Sequence, residues 1–323
     1  MDSKVSQSEV SGVSNENFRP AVRERVERQF GARAGAVAVR AEVEETPWWL
    51  WWNLLSLDAP TVAAAWALLF ASAGGMRLRL TDAILLALSV WVIYVADRLL
   101  DGSTSKRKRV LQARHFFCAR HRLELACLLL LAIAVILRMA AQQSERLEVI
   151  AGMKLAAIVA VYLAAVHASS GWAERIFPKE LAVGVLFAAG TTLPVWSVRG
   201  GSREFWGSFA LFAALCSLNC LAIECWEFNW KDERRHSAVH RLLRWCDSNI
   251  KQIAAVVAMI SLAAFMAFLA DGLIGAEVLA VALGSLSILV VDERRKKLSV
   301  PALRVLADAT LLVAALTALL FRI

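Results

Sequence analysis

The sequence predicts an all-α fold, a polytopic membrane bundle of about nine transmembrane helices, and three observations carry that prediction. Hydrophobic residues make up 59% of the 323, and the mean hydropathy is +0.55. The apolar residues gather in windows of about 18–22, each long enough to cross a hydrocarbon core of about 30 Å. Lys and Arg concentrate in alternate loops, which is the positive-inside pattern. The net charge of +8 is therefore a topology signal, and no nucleic-acid partner is expected. The lipid bilayer is the first partner the composition names. The six cysteines show no Cys-x-x-Cys spacing. Cys127, Cys216, Cys220 and Cys225 fall within apolar windows, so buried free thiols are expected rather than a zinc site or a disulfide framework.

Residues 1–45 are polar, rich in Ser, Arg and Glu, with no apolar core of signal-peptide type. They read as a disordered or amphipathic cytoplasmic tail, and residues 46–323 as the transmembrane domain. The first span, about 48–73, opens on Trp48, Trp49, Trp51 and Trp52, an aromatic belt at headgroup level. The second, about 80–100, ends in Tyr94, Asp97, Arg98 and Asp101 and runs into a basic loop that contains Arg107 and Arg114. The third and fourth spans cover about 123–141 and 149–167, and the fifth, about 181–196, follows Phe177-Pro178-Lys179-Glu180. Gly184 and Gly190 permit close helix approach there, and Pro194 ends or kinks the helix. The sixth, about 205–226, carries Asn219, Glu224 and Glu227, with Asp232 just beyond in a second basic loop. The seventh to ninth cover about 250–270, 273–291 and 303–321, with a third basic run, Arg294 to Lys297, before the last.

Nine spans place the two termini on opposite sides. The three basic loops share one side, which makes that side and the N-terminus cytoplasmic, in a membrane such as the bacterial inner membrane.

Asp97 and Asp101 are four residues apart, so a helix projects them from one face. Glu224 and Glu227, three apart, also share a face. Both pairs end even-numbered spans and so meet the same side of the membrane. Solvated charges at helix ends are common, but two acidic clusters at matched positions, each beside a basic loop, point to a joint use. Carboxylates in that setting suit Mg²⁺ held against a diphosphate, with Lys and Arg on the phosphate oxygens.

This layout resembles the UbiA superfamily of intramembrane prenyltransferases, which have nine helices and two Asp-rich motifs facing the cytoplasm. Asp97 and Asp101 match the last two acids of the family's first motif, Asn-Asp-x-x-Asp-x-x-x-Asp, while Ile93 and Tyr94 stand where Asn-Asp belongs. Asn219, Glu224, Glu227 and Asp232 occupy the place of the second motif. Phe177-Pro178 resembles the aromatic-Pro segment before the fifth helix, and Lys179 then matches its phosphate-binding lysine.

The resemblance implies an enzyme that moves a prenyl group from a prenyl diphosphate to an aromatic or other lipophilic acceptor, with Mg²⁺ as cofactor. Asp97, Asp101, Glu224 and Glu227 would hold the metal. Lys179 with Arg107 or Arg114 would neutralise the leaving diphosphate, and Tyr94, Arg98, Asn219 and Asp232 would line the substrate site. A non-catalytic relative that keeps the fold with a degenerate metal site is the alternative. A transporter ranks third, because the spans read as lacking charges deep in the bilayer. His236 and His240 have i, i+4 spacing without an intervening Glu and read as a solvated loop helix; His167 reads as an interface or packing residue.

Overall fold

The computed structural model describes residues 47–103, 117–118, 120–142, 146–168, 179–227, 238–270 and 275–320, and these are all helix, turn or connecting segment. A 3₁₀ turn, Trp48–Leu50, leads into the short helix α1, Trp51–Leu54. There follow α2 (Asp58–Ala73), α3 (Leu80–Ser103), α4 (Arg122–Gln142), α5 (Arg146–Ala168) and α6 (Lys179–Arg199). The chain continues through α7 (Arg203–Glu227), α8 (Ala238–Ala270), α9 (Ala276–Glu293) and α10 (Val300–Leu320).

Among the described residues, seven helices are long and apolar enough to cross a membrane: α3 to α8 and α10. The count rises to eight if the segment Trp48–Leu54 with α2 is one span, broken by a 78° bend. The chain is thus an integral membrane protein by its helices. Two of the nine sequence-derived spans stand apart for identifiable reasons. The first is broken at residues 55–57, and α9 carries Glu277, Asp292 and Glu293 within 18 residues.

The centre of the bundle is α7, packed against α6, α8, α9 and α10, while α2 packs on α3, α6 and α10. In α7, 61% of the apolar window is buried inside the protein, against 11% in α4 and 6% in α5. The outer faces of α4 and α5, with Leu130, Leu131, Leu137, Met153 and Val161 exposed, are the surfaces left for lipid. Cys127 lies on such an outer face, so not every thiol is buried, although all six cysteines are free.

An aromatic block fills the core. Trp66 and Phe212, both fully buried, stack with ring centroids 4.2 Å apart, and Phe70 lies 5.5 Å from Phe212. The Trp66 indole N–H donates to the Leu311 carbonyl at 3.1 Å, which pins α2 to α10 without leaving the donor orphaned.

Small residues set the α6–α7 contact. A Cβ built on Gly184 would lie 2.5 Å from the Ser217 backbone nitrogen, so only glycine fits. Gly190 has only an ordinary contact with Leu155, at 3.7 Å. Gly184→Ala is therefore expected to lower stability by about 1–3 kcal/mol through forced separation of the helices. Gly190→Ala should leave it nearly unchanged, and thermal unfolding of the two variants in detergent checks the contrast. Helix α6 also runs through Pro194 to Arg199 instead of ending there.

At the end of the bundle that carries the α9–α10 turn, side chains tie α7, α8 and α9 together. Trp226 donates to Asp292 at 2.9 Å, and Arg295 pairs with Asp247 at 2.6 Å and Asp292 at 3.4 Å. Partial burial pulls the Arg295 guanidinium down, but the Asp247 hydrogen bond and the charge of Asp292 hold it above its ordinary value. This cluster reads as a structural tie.

Candidate functional site

The site begins at the break between α1 and α2. A helix that stops inside a membrane bundle leaves carbonyls without partners, and hydrocarbon offers none. Here α3 supplies them. Arg98 Nη1 donates to the Asn53 carbonyl at 2.8 Å and the Leu54 carbonyl at 3.3 Å, and Trp91 Nε1 donates to the Leu55 carbonyl at 3.0 Å. Ser56, buried in the turn, takes a φ of 59°, a conformation that packing imposes on a non-glycine residue. On the far side of the break Asp58 opens α2. Its carboxyl group accepts from the Asn53 side-chain amide and, at 3.0 Å, from the backbone N–H of Ala59.

Asp58 faces α10. It shares a hydrogen bond with Asp308, whose Oδ1 also accepts from Asn219 Nδ2 at 3.1 Å. One turn toward the start of α10, Arg304 donates to Glu227 at 2.9 Å and feels the charges of Asp308 and Asp58. Tyr94 sits among Cys220, Asp308, Asp58 and Arg304. Lys179, at the first position of α6, lies 3.9 Å from Glu224. Tyr94, Cys220, Arg304 and Asp308 are surrounded by protein and yet keep part of their surface accessible. They therefore border a polar space between α3, α7 and α10 that is not completely closed, termed the chamber. From Glu227 at its rim to Asn219 at its floor the α7 axis descends about 12 Å at the usual helical rise.

Of the residues the sequence singles out, Tyr94, Arg98, Asn219 and Glu227 converge on this chamber, and Lys179 and Glu224 pair at its rim. Asp97 is half-buried on the turn that also bears Arg98. Arg107, Arg114, Asp232, His236, Phe177 and Pro178, and the side chains of Asp101, His167 and His240, lie outside the described residues, as does the polar tail. Among the described residues no three His, Cys, Asp or Glu side chains are grouped to hold a metal ion. Glu224 and Glu227 face cations instead, Lys179 and Arg304.

Asn53, Asp58, Arg304 and Asp308 were not singled out in the sequence. The expectation of spans without deep charges is corrected here: Asp58 and Arg98 are buried, and Asp308 stands about 12 Å along α10 at the usual helical rise. Ionisable residues within an apolar window are a functional signal by themselves, and the Arg304–Asp308 spacing of four carried it.

No protein-family model matches the chain, and no match is found among curated proteins or solved structures.

Proposed function

We propose that the protein is a UbiA-like prenyltransferase, which moves a prenyl group from a prenyl diphosphate to an aromatic or other lipophilic acceptor. The observation that carries this reading is Lys179. It begins α6, it is half-buried beside Glu224, and its charge reaches Cys220 in the polar cluster. An ammonium at a helix N-terminus adds a point charge to the open backbone N–H groups, the combination that favours phosphate oxygens. Counting the broken first segment and α9 as spans brings the bundle to the family's nine. With the basic loops inside, the chamber then faces the cytoplasm, the N-terminus is cytoplasmic and the C-terminus lies on the opposite side, in a membrane of bacterial inner-membrane type.

In this reading the bond between the prenyl carbon and the diphosphate oxygen breaks, and Lys179 offsets charge on the leaving group, assisted by Arg107 or Arg114 from the basic loop. The allylic cation, screened from water by the chamber, is captured by the acceptor, which forms the new bond and releases a proton. The reading includes a Mg²⁺ requirement through Asp97 and Asp101. The described acids do not fit a divalent site on their own, since Glu224 and Glu227 are paired with cations. Those same pairings favour, as a second reading, a non-catalytic binding protein.

Binding of a farnesyl diphosphate analogue to the purified protein, with and without Mg²⁺ and beside Asp97→Ala, separates the two. Binding that rises about tenfold or more with Mg²⁺ and loses that gain in Asp97→Ala is expected for the enzyme. Binding indifferent to both leaves the non-catalytic reading in place.

A further inference from the structure

Among the described residues, six buried side-chain atoms have no hydrogen-bond partner, and half of them belong to one cluster. Arg98 Nη2, Arg304 Nε and Asn219 Oδ1 are three of them, and all belong to the chamber. Arg98 is 6% exposed and Asn219 5%. A buried donor or acceptor left unmade is expensive, so three around one space call for a partner. Hydrogen bonds tie the three together: Arg98 reaches the Asn53 carbonyl, the Asn53 amide reaches Asp58, and Asn219 reaches Asp308, one turn along α10 from Arg304.

The open positions define the partner's shape. Two guanidinium N–H groups require an oxygen that accepts, and Asn219 Oδ1 requires an O–H or N–H that donates. Charge defines the rest. Arg304 is already faced by Glu227 and Asp308, and Arg98 by Asp58. No positive charge is left over, and an anion entering here would meet three carboxyl groups. Two turns from Asn219 along the same face of α7, the fully buried Phe212 stacks on Trp66.

We propose that Arg98, Arg304 and Asn219 form a head-group site for a neutral compound that carries a carbonyl or hydroxyl oxygen together with an O–H or N–H donor. On the prenyl-transfer reading, on which this assignment of role rests, that compound is the acceptor. Its head is held at the chamber floor while the diphosphate occupies the rim at Lys179.

The test uses two probes of the same shape, para-hydroxybenzamide, which is neutral, and para-hydroxybenzoate, which is an anion. Each is titrated calorimetrically into the full chain in detergent. The amide is expected to bind about tenfold tighter than the carboxylate or better, and Asn219→Ala to weaken it about tenfold. Arg304→Lys keeps the charge opposite Glu227 but removes the Nε donor, and is expected to weaken the amide in the same direction. Thermal unfolding of each variant verifies the fold. A carboxylate that binds as tightly as the amide overturns the proposal, as does amide binding unchanged in both variants. Failure of both probes to bind also overturns it, since water alone then satisfies the three atoms. A geranyl diphosphate analogue titrated in parallel keeps the two readings apart. If it does not bind while the amide does, the neutral-head site stands and prenyl transfer falls; if it binds and the amide does not, the reverse holds.

Discussion

Arg98→Met is expected to destabilise the protein by about 3–5 kcal/mol, the usual cost of removing one partner from a buried charged network. The variant takes away the donor to the Asn53 and Leu54 carbonyls, at 2.8 and 3.3 Å, and the cation that faces Asp58. In a soluble protein water would replace the lost donor. Inside a membrane bundle nothing does, so the break between α1 and α2 must close, shift or drag in solvent. Arg98→Lys keeps a charge but not the planar fork, and should fall between the two, at about 1–2 kcal/mol. Trp91→Phe removes only the bond to the Leu55 carbonyl and should cost about 1 kcal/mol. Thermal unfolding in detergent measures all three. A methionine variant that melts like the parent would mean that Arg98 does not hold the break and serves the ligand alone.

The class of the fold was legible because the bilayer imposes it: windows of sufficient apolar length, with cations between them, have few other solutions. The break at residues 55–57 was not. Trp48 to Ala73 reads as one apolar stretch, and the bend depends on donors from Arg98 and Trp91, far along the chain. The same distance hid the chamber. Asn219 and Tyr94 were visible as polar side chains in apolar windows, but their partners Asp308 and Asp58 belong to helices that meet only in three dimensions. A substrate role for Arg98 follows from the family resemblance alone. Arg98 Nη1 donates to carbonyls at a helix end, and Nη2 is buried without a hydrogen-bond partner. The pairing of Glu224 and Glu227 with Lys179 and Arg304 was likewise invisible, since spacing shows which carboxylates share a face and not which cations reach them.

Lys179→Met is expected to weaken binding of a prenyl diphosphate analogue about a hundredfold, the effect of removing one donor from an anion-stabilising site. That result alone does not distinguish a phosphate ligand from a residue that merely holds Glu224 in place. The sign of Glu224→Gln does. Lys179 Nζ lies 3.9 Å from Glu224 Oε2, with side chains 26% and 19% exposed. In the absence of ligand the carboxylate competes with phosphate for the ammonium. If Lys179 is the phosphate ligand, neutralising Glu224 frees it, and metal-free affinity rises by about two- to fivefold, the size of a partly exposed ion pair. If Glu224 is instead a ligand of Mg²⁺, the same substitution lowers affinity in the presence of the metal and leaves the metal-free value unchanged. The double variant completes the argument. With Lys179 already methionine, Glu224→Gln should no longer raise metal-free affinity, because the competition it relieves has gone. A gain that persists in the double variant would place the binding cation elsewhere, with Arg304, the partner of Glu227, the next residue to replace.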